Sequence, residues 1–218
     1  MESLFVYPDG DIRKLMKPNL KIIASVDPGF TGAACFLLGS SPILFDPPLI
    51  QGKDRAEYDL KKMDEIFKMF MQQDVTMLVE EVSSMPNEGS VSSFRFGAGY
   101  MAWKMCGVAN GFDVHDVRPT EWKKAYPELV SSNIVDELRE EIKALRNQIK
   151  VMKDKELMAQ AKKESDKLRR AIKTIAKDAA RELAATMYPE VKSFLTRKKD
   201  DGRAEALLIA HYGKERFA

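Results

Sequence analysis

Leu20-Lys21-Ile22-Ile23-Ala24-Ser25-Val26-Asp27-Pro28-Gly29 sets the architecture of this chain. A short apolar run rich in strand-forming side chains stops at Asp-Pro-Gly, the punctuation of a strand that ends in a tight turn. A carboxylate beside a buried strand is costly unless a positive charge meets it, so Asp27 is the first candidate functional residue. Two more apolar runs follow directly, Gly32 to Leu38 and Pro42 to Phe45, separated by Gly39-Ser40-Ser41. Three strands joined by short turns predict an antiparallel meander.

Beyond the meander the hydrophobic period lengthens. Leu60, Met63, Ile66, Phe67 and Phe70 recur at intervals of three and four, which predicts an amphipathic helix. Val75 to Val82 reads as a buried strand carrying Glu80 and Glu81. A second helix is expected from about Val91 to Asn110, with Gly97, Ala98, Gly99 and Ala102 as a small-residue surface, and a strand from Phe112 to Val117. Antiparallel strands followed by strand–helix alternation predict an α/β domain with a mixed sheet.

After Pro127 the texture changes. No Gly or Pro occurs until Pro189, and Asn133 with Asp136 offers a helix start. Ile134, Leu138, Ile142, Leu145, Ile149 and Met152 form a near-heptad stripe, and Leu168, Ile172 and Ile175 form a second. From Asn133 to Ala176 there are twelve Lys/Arg and eight Asp/Glu, a surplus of four positive charges. An antiparallel helical hairpin projecting from the body is predicted, its reversal between Lys155 and Glu164. Residues 1–19 are a lead-in, 131–176 the charged helical insertion, and 20–130 with 177–218 the globular domain. Its last element is a helix from about Gly202 to Tyr212, burying Ala206, Leu207, Ile209 and Ala210.

Composition narrows the chemistry. The 218 residues carry 35 basic and 33 acidic side chains, with 44% hydrophobic and 31% charged content, which excludes a disordered tail and a helical membrane protein. The first residues lack an apolar leader core, and a cytoplasmic setting is expected. Cys35 and Cys106 form no Cys-x-x-Cys motif, and with only His115 and His211 to join them a zinc site is not expected. Carboxylates remain. Period-two alternation sends Glu80 and Glu81 to opposite faces, while Asp201 and Glu205, four apart, share a helical face where like charges repel unless a cation intervenes. Convergent acids without His or Cys suit a hard cation such as Mg²⁺ or Mn²⁺, and a pair of such ions supports phosphodiester hydrolysis. Spacing leaves open whether Asp200 or Asp201, and Glu80 or Glu81, is the ligand.

Three segments, Ile22-Ile23-Ala24-Ser25-Val26-Asp27-Pro28-Gly29, Leu78-Val79-Glu80-Glu81-Val82 and Asp201-Gly202-Arg203-Ala204-Glu205-Ala206-Leu207-Leu208-Ile209-Ala210, together resemble the RuvC family of Holliday junction resolvases, and its phage and viral branch in particular. The resemblance implies an RNase H-like fold, a homodimer, and a Mg²⁺-dependent endonuclease (Mn²⁺ substituting) that makes paired nicks in branched double-stranded DNA, leaving 5′-phosphate and 3′-hydroxyl ends. It assigns Asp27, Glu80, Asp201 and Glu205 to catalysis and metal binding. Two positions depart from the family pattern: Gly202 stands where the family often has an acid or His, with Asp201 as its substitute, and Glu205 stands where Asp is usual. The helix around Gly97–Gly99 resembles the family's dimer-packing helix. Arg118, Lys123 and Lys124, in Val117-Arg118-Pro119-Thr120-Glu121-Trp122-Lys123-Lys124, are expected to reach DNA phosphates, and Met85 to approach the junction centre. Trp122 is expected to be a core anchor. The alternatives are an endonuclease of relaxed specificity on the same fold, and an architectural DNA-binding protein whose helical arm is its functional part. The insertion's partner is left open.

Overall fold

The computed structural model describes residues 12–16, 20–53, 55–83, 89–129 and 132–217. Its centre is a five-stranded sheet. The meander forms as expected: β1 (Lys21–Asp27), β2 (Ala33–Leu38) and β3 (Ser41–Phe45) pair antiparallel, Ile23 opposite Leu37 and Cys35 opposite Leu44. A small hairpin, β4 (Leu49–Gln51) with β5 (Ala56–Tyr58), follows. Its strands are three residues each, too short for a periodic signal in the sequence. Helix α1 (Leu60–Lys68) is capped by Asp59, which accepts from the Lys62 N–H. Next come β6 (Asp74–Glu80), α2 (Ser90–Ala109) and β7 (Asp113–Val117). Strand β6 runs parallel to both β1 and β7, giving the order β3-β2-β1-β6-β7.

Strand alternation divides the core in two. Ile22, Ala24 and Val26 of β1, with Val75, Met77 and Val79 of β6, face Phe67, Phe70 and Trp103 from α1 and α2. Ile23 and Leu78 face the other way, onto α6 (Asp201–Phe217). Helix α6 is buried over much of its circumference, sandwiched between this sheet face and the last turns of α5. Ser25 follows the same parity and donates to the Ala206 carbonyl at 2.5 Å.

A short helix α3 (Pro119–Trp122) leads into the insertion. Helices α4 (Asn133–Val151) and α5 (Lys155–Met187) pack together as the predicted hairpin. Its details differ from the sequence expectation. Ser132, not Asn133, caps α4 by accepting from the Val135 N–H. Ile134 is exposed, Val135 and Ile142 are buried, and Leu138, Leu145 and Ile149 beside them are half-buried. The chain reverses at Met152-Lys153-Asp154, earlier than expected, because Asp154 caps α5 through the N–H groups of Glu156 and Leu157. A lone capping acid inside a charged run gives little signal. Helix α5 then runs unbroken for 33 residues, about 50 Å, through the expected 176/177 boundary and into the body.

The first turn of α6 lies against the β1–β2 turn. Any Cβ at position 202 would stand 2.6 Å from the Gly32 Cα and crowd the Thr31 carbonyl, both rigid backbone. That contact explains why position 202 carries no side chain. Gly202→Ala is expected to destabilise the fold by about 1–3 kcal/mol through overpacking, measured as a lower urea midpoint at unchanged m-value.

Candidate metal and nucleic-acid site

Parity along the strands places the first two acids. Asp27 follows Ile23 and Ser25 on the α6 face of β1, and Glu80 follows Leu78 on the same face of β6. The strands are in parallel register with Val26 opposite Val79, so Asp27 and Glu80 are the next residues on adjacent strands. Both reach the end of the sheet where α6 begins, bringing Asp201 and Glu205 on its first two turns. Glu81 turns outward and pairs with Arg118 at 3.2 Å.

Asp27 and Glu80 feel the neighbouring acids. Burial, then the charges of Glu205, Glu80 and Asp201, hold the Asp27 carboxyl well above the usual carboxylate range, with Lys123 opposing. Burial and Glu205 likewise raise Glu80, against Lys123 and the Trp122 indole. That indole donates to Glu80 Oε1 at 2.9 Å. Trp122 is fully buried, as expected of a core anchor, and it also orients a carboxylate.

Two ammonium groups balance this charge. Lys123 Nζ lies 2.9 Å from Glu205 Oε1, and Lys177, arriving from α5, bonds Asp201. Burial opposes a charged Lys123, but Glu205, Glu80 and Asp27 outweigh it and raise its pKa. Lys177 is raised in the same way, by Asp201 foremost among the acids. Beside them opens a cleft of about 510 Å³ whose wall includes Glu80, Lys123, Lys173, Lys177 and Glu205. Asp27 and Asp201 are not part of that wall.

The geometry separates Asp200 from Asp201. Asp200 is 1% exposed and accepts from Arg197 and Arg203. Burial would raise its carboxyl, but these bonds prevail and hold it below the usual range. Arg203, also buried, spans Asp200, Asp46 and the Phe194 carbonyl. Asp200 is thus committed to a structural ion pair, whereas Asp201 faces Lys177.

Of the expected phosphate contacts, Lys123 lies in the cleft, Arg118 is exposed on Glu81, and Lys124 is exposed and outside the cleft wall. Met85 lies outside the described residues. The sequence does not single out Lys173 and Lys177, two of the nine Lys/Arg of α5; only the docking of that helix distinguishes them. The donor chemistry, four carboxylates without His or Cys, fits a hard divalent cation. In the present arrangement the acids are lysine-bridged, and among the described residues no three Asp, Glu, His or Cys side chains stand close enough together to hold a metal. No helix among the described residues is long and apolar enough to cross a membrane. No protein-family model matches the chain, and no curated protein matches its sequence.

Two outcomes test this geometry. Asp200→Ala is expected to lower stability by about 3 kcal/mol, by uncoupling buried Arg203 from one partner. Asp201→Asn should leave stability near wild type. Equal losses in urea unfolding would contradict the assignment. Asp27→Asn is expected to stabilise the metal-free protein, because a raised native pKa means the folded state disfavours the ionised form. The gain is full above the raised native pKa, shrinks as pH falls, and vanishes below the ordinary carboxylate value; thermal melts across that range check it.

Proposed function

We propose that this chain is a metal-dependent, structure-specific DNA endonuclease of the RuvC-like kind, which resolves four-way junctions by paired nicks. The observation that carries this reading is the meeting of Asp27, Glu80, Asp201 and Glu205, expected from three separated motifs, at one end of one sheet face. The sheet supports it too: an antiparallel meander followed by parallel strands is the arrangement an RNase H-like fold has.

Asp27, Glu80, Asp201 and Glu205 are the residues that would hold Mg²⁺, or Mn²⁺ in its place. When bound, such ions supply Lewis acidity and an activated water for phosphodiester hydrolysis. The chain's own groups do the rest. Trp122 fixes the orientation of Glu80 by its N–H. Lys123 and Lys177 keep four crowded carboxylates tolerable in the metal-free protein, and once released from Glu205 and Asp201 they are placed to contact phosphate oxygens at the cleft. The cleft is open, as a polymer substrate requires.

A homodimer belongs to the same reading, and α2 offers the surface. Of the expected small residues, Gly99 does not form it, since it faces inward against Tyr58, whereas Gly97 meets no other atom within 4 Å and Ala98 is exposed. The exposed face instead carries Val91, Phe94, Ala98, Met101, Met105 and Val108, spaced 3-4-3-4-3 as in a coiled-coil seam, with Phe94 78% exposed. An uncharged, self-complementary stripe of this kind suits a second copy of the chain across a two-fold axis. Met101→Glu with Met105→Glu is expected to convert a dimer to a monomer in sedimentation equilibrium, with unchanged circular dichroism.

Cleavage of a four-way junction, beside a matched linear duplex and a flap, tests the activity. With Mg²⁺, paired symmetric nicks in the junction are expected, and their loss in Asp27→Asn with DNA binding retained. Equal cutting of all three substrates would move the function to general DNA processing. Binding without any Mg²⁺- or Mn²⁺-dependent cleavage would favour an architectural role.

A further inference from the structure

We propose that one face of α5 is a backbone-binding track for duplex nucleic acid, running from the carboxylate cleft out along the helical hairpin. The inference rests on the nucleic-acid reading above and extends it to the insertion, which that reading leaves without a role.

The track follows from the rotation of a single helix. At 100° per residue, Lys173, Arg170 and Lys163 all fall within about 40° of the Lys177 direction. Ala180 and Ala184 lie within about 60° of it, and both are buried in the body's core. The face of α5 that docks on the body is therefore the face that carries these cations further out. Where the helix leaves the body, Ala176, Lys177 and Lys173 line the carboxylate cleft. Beyond it, Arg170 and Lys163 line a second open cleft, together with Gln160 and the Glu164–Lys167 pair. From Lys177 to Lys163 is about 21 Å of helix axis, several phosphates' worth of backbone. Helix α4 does not obstruct this face: Leu168, Ile172 and Ala161, the α4-facing side, point within about 40° of the opposite direction.

Pairing separates these cations from several others on the hairpin. Lys167 and Arg169 each neutralise an acid three residues back, Glu164 and Asp166. On α4, Arg139 and Lys143 do the same with Asp136 and Glu140. Lys163, Arg170 and Lys173 are exposed and make no ion pair among the described residues. The one acid in their sector, Asp166, is the partner of Arg169. Unneutralised cations in a line, continuous with a phosphodiester-sized cleft, fit a regularly spaced polyanion. A duplex arm presents phosphates at regular intervals along each strand.

The test measures binding of a labelled linear duplex in EDTA, where no cleavage intervenes, as a function of salt. Wild type is compared with Lys163→Ala/Arg170→Ala and with the α4 control Arg139→Ala/Lys143→Ala. The track variant is expected to bind on the order of tenfold more weakly, with the slope of log affinity against log salt shallower by about two; the control should follow wild type. Wild-type affinity in the track variant, an equal loss in the control, or no duplex binding by wild type would each overturn the proposal. Junction cleavage with Mg²⁺ reads the parent reading separately. A protein that cuts junctions yet binds duplex equally with or without Lys163 and Arg170 loses the track alone. One that cuts nothing but shows the expected affinity loss keeps the track and loses the nuclease.

Discussion

The contact between Gly202 and the β1–β2 turn governs how close α6 can approach the sheet, and with it nearly everything about the acidic cluster. A helix packed on a sheet normally stands off by the thickness of its side chains. Here backbone meets backbone at Thr31 and Gly32, so the first turn of α6 is brought down onto the end of β1. Asp201 and Glu205 then descend toward Asp27 and Glu80. Ser25, bonded to the Ala206 carbonyl, holds the next turn in register. Burial first, and then the neighbouring acids, disfavour the charged forms of Asp27 and Glu80 and raise their pKa values.

Something must offset this penalty, and the chain uses lysines from two separate directions. Lys123 arrives just after α3, whose Trp122 is locked in the core, and Lys177 arrives from the docked part of α5. The insertion is thus physically continuous with the site: the same helix that forms half of the projecting hairpin delivers a cation to Asp201. Crowding the acids there costs stability, and on the proposed reading a bound cation would relieve that cost. The neighbouring Arg203 network with Asp200 and Asp46 is the opposite case, a fully paired cluster that anchors the helix start and leaves Asp201 to pair with Lys177.

Much of this was legible in the residues. The meander, the parallel strands, both body helices, the hairpin and the buried last helix follow from periodicity and punctuation, and alternation sends Glu80 and Glu81 to opposite faces, though only the fold shows that Glu80 is the one beside α6. Other features were not legible for local reasons. The β4–β5 hairpin is too short to show a period, and one capping acid, Asp154, fixes a reversal that hydrophobic spacing alone puts later. Small residues on α2 read as a contact surface, but smallness does not say for what: Gly99 and Gly107 admit Tyr58 and Met77, while the bulky stripe faces outward.

By itself, the order of residues determined the strand faces on which Asp27 and Glu80 lie and the helical face shared by Asp201 and Glu205, because alternation and helical pitch are properties of the local backbone. Only the tertiary structure decided that Asp200 belongs to Arg203 and Asp201 to Lys177, that Trp122 holds Glu80, and that α5 contributes to the cleft. Those are pairings between residues tens of positions apart, and a cation on a charged helix carries no local mark of the partner that folding will bring to it.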